Sequence, residues 1–232
     1  MKSSFEYFFE RATSFPPFPF QKDMGTRGKI PSLVSIPTGL GKTATIVMAW
    51  SWRRTQAEPS IREKTPRRLV YCLPMRVLVE QTYQNVLKWF HKTDLLNGTY
   101  DADSGAYDPW VGEDDPTKIR VFMLMGGDLE RDWDREPERN AILIGTQDML
   151  LSRALNRGYA MSKFRWPIQF GLLHTDTMWV FDEVQLMGDG LATSVQLEAF
   201  RRKFGTLGPH HSIWMSATME RSWLSTADLN PD

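Results

Sequence analysis

Six short apolar runs, each ending in a polar or glycine-bearing cluster, restrict this chain more than any other feature of its sequence. Leu33-Val34-Ser35-Ile36 leads into Pro37-Thr38-Gly39, and Leu69-Val70-Tyr71-Cys72 into Leu73-Pro74-Met75-Arg76. Val121-Phe122-Met123-Leu124 leads into Met125-Gly126-Gly127-Asp128, and Ala141-Ile142-Leu143-Ile144 into Gly145-Thr146-Gln147-Asp148. Met178-Trp179-Val180-Phe181 leads into Asp182-Glu183, and Ile213-Trp214-Met215 into Ser216-Ala217-Thr218. These runs have strand length, are rich in β-branched and aromatic residues, and are apolar on both faces. They predict strands covered on both sides, as in a parallel sheet. Helical patterns lie between them: residues 42–54, apolar almost all round; 75–90; and 191–204, with Leu191, Val195, Ala199 and Phe200 at helical spacing. The alternation predicts an α/β doubly wound fold with a central, mostly parallel sheet flanked by helices. Ligands in such folds bind beyond the carboxyl ends of the strands, where every one of these clusters falls.

At 232 residues the chain is long enough for one substantial domain. Lysine and arginine total 28 and so do aspartate and glutamate, so charge neither supports nor excludes a nucleic-acid partner. Cys72, the single cysteine, rules out an internal disulfide and reads as a buried thiol, which favours a cytoplasmic setting. Glu6 and Glu10 interrupt the aromatic N-terminus, unlike the core of a signal peptide, and no apolar run is long enough to cross a membrane. Residues 94–117, with Asp101, Asp103, Asp108, Glu113, Asp114 and Asp115, read as an exposed acidic loop. Residues 128–139 read as a solvated helix or loop with no role beyond solubility. His210 and His211 are expected in an exposed turn, His174 near a surface loop, and Trp110, Trp133 and Trp166 as candidate contacts with a partner lobe.

Pro37-Thr38-Gly39-Leu40-Gly41-Lys42-Thr43 follows a predicted strand and opens a predicted helix. Gly39 and Gly41 let the backbone curl until successive N–H groups point at one anionic centre, and the positive end of the helix adds to that field. Lys42 would reach the outer phosphates as a point charge, and the Thr43 hydroxyl would ligate Mg²⁺. Ile36 stands where the general pattern has glycine or alanine; it closes the strand and touches no phosphate. The structural alternative is a strand–turn–helix junction with incidental glycines, which this motif in this context makes improbable. Asp182-Glu183 closes another apolar strand, and at a strand end the two can divide the work. Asp182 would hold Mg²⁺ and Glu183 would polarise the attacking water as a general base.

Together, Pro37–Thr43, Asp182-Glu183-Val184-Gln185 and Ser216-Ala217-Thr218 resemble motifs I, II and III of superfamily 2 helicases, in the right order. Leu73–Gln81, with Pro74, Arg76 and Gln81, is similar to motif Ia. Gly126-Gly127 and Gly145-Thr146-Gln147-Asp148 resemble motifs Ib and Ic, and Phe18-Pro19-Phe20-Gln21 resembles the element that reads adenine. The resemblance implies a RecA-like P-loop lobe over residues 21–232, with residues 1–20 leading into the adenine element. It implies ATP held by Phe20, Gln21, Thr38, Gly39, Leu40, Gly41, Lys42, Thr43 and Asp182, and Mg²⁺ on Thr43 and Asp182. Ser216, Ala217 and Thr218 would couple nucleotide state to a strand of nucleic acid. That strand would be gripped near Pro74, Arg76, Gln81, Gly127, Thr146 and Gln147 through phosphates rather than bases. Thr146 equally reads as a helix N-cap.

Within that superfamily, Gly145–Leu151 and Leu173–Met187 are most similar to the helicase–nuclease of type I CRISPR interference, which acts on DNA in antiviral defence. Two departures stand out. Gln185 occupies a position where that family usually has histidine, so coupling to Ser216 and Thr218 must use an amide. No adjacent His-Asp pair of the nuclease type is present, which implies a nuclease placed after the helicase or on a separate chain. The resemblance further implies a second RecA-like lobe outside these residues, an RNA-guided surveillance complex as partner, and slow hydrolysis by this chain alone. The other readings are a lobe of a DExH-type RNA helicase or restriction-enzyme translocase, a P-loop kinase, and a catalytically silent P-loop binding module. Kinases do not need Ser-Ala-Thr after the acidic motif.

Overall fold

The computed structural model describes residues 4–27, 30–112, 114–126, 132–158, 161–218 and 220–226. Each of the six apolar runs forms a strand: β1 (Leu33–Ser35), β2 (Arg68–Leu73), β5 (Ile119–Leu124), β6 (Asn140–Thr146), β7 (Thr177–Phe181) and β8 (His210–Ser216). They pair in the order β1-β8-β7-β2-β6-β5, and every pairing is parallel. The remaining two-residue strands, β3 (Thr99–Tyr100) and β4 (Tyr107–Asp108), form a separate antiparallel hairpin.

Alternation along each strand divides the core between two faces. Leu69, Tyr71 and Leu73 of β2 join one cluster with α1 (Phe5–Thr13), α3 (Lys42–Thr55) and α5 (Arg76–Thr93). Val70 and Cys72 join the other, with α6 (Gln147–Ala154), α7 (Trp166–His174) and α8 (Asp189–Phe204). Two short helices complete the set, α2 (Pro19–Thr26) and α4 (Pro59–Arg62). The mean strand is thus covered on both sides, which is why none shows polar alternation. Cys72 is 0 % exposed and burial drives its thiol pKa well up, so it fills space as a small hydrophobe. Of the expected inner face of α8, Val195 and Ala199 are buried, but Phe200 points outward against Phe204. No helix among the described residues is long and apolar enough to cross a membrane.

Several surface expectations are corrected. Residues 94–117 are not simply an exposed loop: Leu95, Leu96, Asn97 and Tyr107 are buried, and Asp114 pairs with Arg120 at 2.9 Å and Arg139 at 2.6 Å. Glu113 lies outside the described residues. Trp110 is engaged within the chain, with the Arg120 guanidinium 4.4 Å above its ring, and Trp133 is 4 % exposed. Trp133 is therefore closed to a partner lobe, whereas Trp110 and Trp166, the latter at the head of α7, are half-buried. Residues 132–139 do more than solvate: Asp134 accepts hydrogen bonds from Arg165 and from Gln169 at 3.2 Å, and Glu136 pairs with Arg120. These long-range ion pairs could not be read from local charge density.

The positions of two histidines differ from expectation as well. His210 and His211 open β8, half-buried, rather than sitting in a turn. His174 ends α7 with Nε2 2.7 Å from the Ala154 carbonyl oxygen and Nδ1 3.1 Å from Arg201 Nη1. Burial lowers its pKa from 6.5 to about 4, and the positive Arg201 acts the same way, against the opposing pull of the Ala154 carbonyl. The unfolded chain therefore binds a proton between those values that the folded chain refuses. Stability should be full above the unfolded pKa and fall as pH drops from about 6.5 toward 4, by roughly 2 kcal/mol at pH 5 from this group. His210 and His211, both lowered by burial, add to the same slope. Urea midpoints measured at pH 7 and pH 5 test this; equal midpoints would contradict it.

Candidate functional site

The topology collects the polar clusters on one edge. β1 and β7 both pair with β8, so the loops leaving β1 and β7 flank the end of β8 at Ser216. The loop after β1 is exposed from Thr38 to Gly41, with Gly39 at φ +83° and Gly41 at φ +72°. L-residues with a Cβ rarely adopt these angles. A Cβ on Gly41 would also sit 3.2 Å from Gln21 Nε2. Gly41 caps α3, whose first residue, Lys42, is 9 % exposed and turned toward β7.

There Lys42 Nζ lies 2.5 Å from Glu183 Oε1 and 3.7 Å from Asp182 Oδ1. Consecutive side chains of a strand would point to opposite faces, and the chain avoids this by a sharp turn. Glu183 takes φ +53°, ψ +47°, and its N–H donates to Asp182 Oδ1 at 2.9 Å. A left-handed conformation at a glutamate is uncommon, and here it brings both acids to one cation. Asp182 is 4 % exposed, and burial raises its pKa despite the Tyr71 hydrogen bond and Lys42. For Glu183, burial pushes upward but is outweighed by the hydrogen bonds from Lys42 and Gln185, leaving the pKa below the usual range.

Two connections extend outward from this centre. The first is a relay: Gln185 Nε2 donates to Glu183 Oε2 at 2.6 Å, Ser216 Oγ donates to Gln185 Oε1 at 2.8 Å, and Thr218 N–H donates to Ser216 Oγ at 3.1 Å. The amide coupling expected of Gln185 is in place for Ser216. Thr218 joins through Ser216 rather than through Gln185 directly. Ala217 is the half-buried spacer between them.

The second connection was invisible in the sequence. The Tyr71 hydroxyl donates to Asp182 Oδ2 at 2.8 Å and lies 3.3 Å from Thr43 Oγ1. Tyr71 is 0 % exposed, and burial followed by the Asp182 charge drives its pKa well up, so it stays a neutral donor. In the sequence it was one aromatic within an apolar run; its place on the odd-numbered face of β2 is the only local clue. The oxygen donors Thr43 and Asp182 converge on this one hydroxyl, and a hard oxygen set of this kind fits Mg²⁺.

Beside the loop a cavity of about 650 Å³ is lined by Phe9, Phe15, Phe18, Leu40, Trp89 and Gln21, among others. Phe18 and Phe20 stack at 5.7 Å with planes 10° apart. The amide of Gln21 is hydrogen-bonded within the chain: to the Leu40 carbonyl at 3.3 Å, to Thr45 Oγ1 at 3.0 Å and from the Phe18 N–H at 2.9 Å.

The remaining candidates lie along the other half of the sheet edge, where β2, β5 and β6 end. Arg76 and Gln81 are exposed on α5, Pro74 is half-buried, and the Arg76 guanidinium reaches the turn at Gly126. Gly127 lies outside the described residues. Thr146 is only 8 % exposed and takes the N-cap position of α6 without a side-chain capping bond. Gln147 is half-buried and its amide oxygen backs onto Gly190 at the start of α8.

A model of the DEAD/DEAH box helicase family matches residues 21–226. The chain belongs to that family. Its fold is shared with MrfA, a DUF1998 helicase (17 % identity, TM-score 0.61, covering 96 % of this chain and 31 % of that one). It is shared too with the yeast DEAD-box splicing factor Prp28 (19 %, TM-score 0.57, 92 % and 43 %). A variant of S. cerevisiae Dbp5 bound to RNA and ADP BeF3 is also similar (15 %, TM-score 0.55, 95 % and 46 %). This chain therefore spans less than half the length of each. Among curated proteins none matches.

Proposed function

We propose that this chain is the ATP-binding lobe, over residues 21–232 with residues 1–20 leading in, of an ATP-driven translocase on single-stranded nucleic acid. The observation that supports it most is the placement of Lys42 against Asp182 and Glu183, with Glu183 tied through Gln185 to Ser216. A P-loop kinase has no use for that second link.

The loop from Thr38 to Thr43 takes the triphosphate on its backbone amides and the positive end of α3. Lys42 exchanges Glu183 for the outer phosphates. Thr43 and Asp182 would hold Mg²⁺, which would supply neutralisation of phosphate charge. Glu183, released from Lys42, accepts a proton from the attacking water. Gln185 senses that change in its hydrogen bond to Glu183 and passes it to Ser216 and Thr218. Arg76 and Gln81, exposed, with Pro74, Thr146 and Gln147 behind them at the same sheet edge, are the side on which a strand's phosphates are held, together with Gly127 by resemblance.

The finer reading is the helicase of type I CRISPR interference, acting on DNA in the cytoplasm with a second RecA-like lobe, a nuclease and an RNA-guided surveillance complex. It is supported by the runs Gly145–Leu151 and Leu173–Met187. Among structures of the same fold, one holds MrfA with DNA and AMPPNP and one holds Dbp5 with RNA. An RNA translocase lobe is therefore the second reading. Fluorescent-ATP titrations with and without single-stranded DNA or RNA, followed by ATPase assays, test these together. Nucleotide binding tightened by DNA is expected, with slow turnover, because a second lobe's arginine finger is commonly worth about 10³–10⁵ in rate. Tightening by RNA alone would favour the second reading, and absence of nucleotide binding would refute both.

A further inference from the structure

We infer that Tyr71 is a positioning residue whose hydroxyl holds Thr43 and Asp182 at a fixed spacing, and that this spacing selects Mg²⁺ over the larger Ca²⁺. The inference deepens the nucleotide-binding reading above and rests on it. Tyr71 belongs neither to the phosphate loop nor to the acidic pair. It comes from β2, the strand that pairs with β6 on one side and β7 on the other. A phenol has one hydrogen to give and lone pairs to receive. The Asp182 carboxylate, the charged acceptor 2.8 Å away, takes that hydrogen. The Thr43 hydroxyl at 3.3 Å then donates its own hydrogen to the phenol oxygen, which leaves the threonine oxygen as an acceptor. Both groups are thereby set as acceptors, the form in which oxygen binds a divalent cation.

The spacing has little room to change. Tyr71 is fully buried, and its strand is paired along both edges. The Asp182 N–H donates to the Cys72 carbonyl at 3.1 Å, which fixes the aspartate backbone beside the same strand. Its carboxylate is held at both oxygens, Oδ2 by Tyr71 and Oδ1 by the Glu183 N–H at 2.9 Å. Thr43 sits in the first turn of α3, so the phenol ties that helix to the acid through a link that does not depend on Lys42. Mg²⁺ demands near-ideal octahedral geometry at about 2.0–2.1 Å, whereas Ca²⁺ accepts looser arrangements at about 2.3–2.6 Å. Selection between the two therefore follows from spacing and rigidity. A ligand pair pinned to one buried hydroxyl is rigid. Without that hydroxyl the two side chains would turn independently, and Ca²⁺ would lose its disadvantage.

The test is binding of a fluorescent ATP analogue to the unaltered chain and to Tyr71→Phe, each titrated with Mg²⁺ and with Ca²⁺ and compared with EDTA. The unaltered chain is expected to bind at lower Mg²⁺ than Ca²⁺ concentration. Outer partners of metal ligands commonly contribute about 10–100-fold to metal affinity, so in Tyr71→Phe the Mg²⁺ concentration for half-maximal binding should rise on that scale. The Ca²⁺ concentration should rise much less, and binding in EDTA should not change, a pattern that a merely structural role would not produce. Tyr107→Phe is the control. It removes another buried hydroxyl, the donor to the Asn97 carbonyl, and should leave all three measurements where they were. A Tyr71→Phe loss that extends to EDTA, an equal loss with both cations, or no loss at all overturns the inference while leaving the phosphate loop standing. So does an unaltered chain indifferent to the choice of cation, a result that needs no variant. Absence of nucleotide binding by the unaltered chain overturns both.

Discussion

Glu183→Gln is expected to lower ATP turnover by about 10²–10⁴ while leaving ATP bound as tightly as before, or more tightly. The amide keeps the shape of the carboxylate but cannot accept the proton of the attacking water. The ground state moves the other way. In the free chain Lys42 Nζ sits 2.5 Å from Glu183 Oε1, so the carboxylate competes with incoming phosphate for the same ammonium. Glutamine competes less, and one negative charge is removed from the neighbourhood of the triphosphate. Asp182, at 3.7 Å from Lys42 and hydrogen-bonded to Tyr71, remains in position. Single-turnover hydrolysis with the chain in excess gives the rate, and titration of a labelled nucleotide gives the affinity. If affinity falls in proportion to rate, Glu183 is a binding residue and not a base.

What could be read in the sequence was whatever repeats or sits next to itself in the chain. The strands announce themselves because a sheet covered on both faces leaves no room for polar alternation. The phosphate loop does so because a curled backbone needs glycine at two nearby positions, here at φ +83° and +72°. Asp182 and Glu183 stood out as neighbours, although their joint orientation depends on the left-handed turn at Glu183, which no glutamate advertises. What escaped notice was set by partners far apart in the chain. Tyr71 is 111 residues from Asp182, and only the pairing of β2 with β7 brings them together. Asp114 and Glu136 belong to stretches that read as solvated charge, and only folding joins them to Arg120 over Trp110. His174 had no local sign of the buried Arg201 against which it packs. Gln21 is a different case: its position is marked by resemblance, but its hydrogen bonds to Leu40 and Thr45 join residues that the motif does not mention.

Lys42→Ala is expected to weaken ATP binding by about two orders of magnitude. A hydrogen bond to a charged group is commonly worth about 1.5–3 kcal/mol, or roughly 10–150-fold in affinity. A second contribution comes from the residues left behind. Lys42 is the cation shared by Asp182 and Glu183, whose side chains are 6 % and 22 % exposed, and without it two carboxylates face the incoming triphosphate. Repulsion in so sheltered a position is screened little by salt. Raising ionic strength should therefore recover little of the lost affinity, in contrast to a surface lysine. The loop itself should stay curled, since Gly39, Gly41 and the hydrogen bond from Gln21 to the Leu40 carbonyl do not involve the ammonium. Isothermal titration of the variant with ATP, at low and high salt, measures both quantities. Near-native affinity in the variant would remove the triphosphate from this loop, and with it the division of labour assigned to Thr43, Asp182 and Glu183.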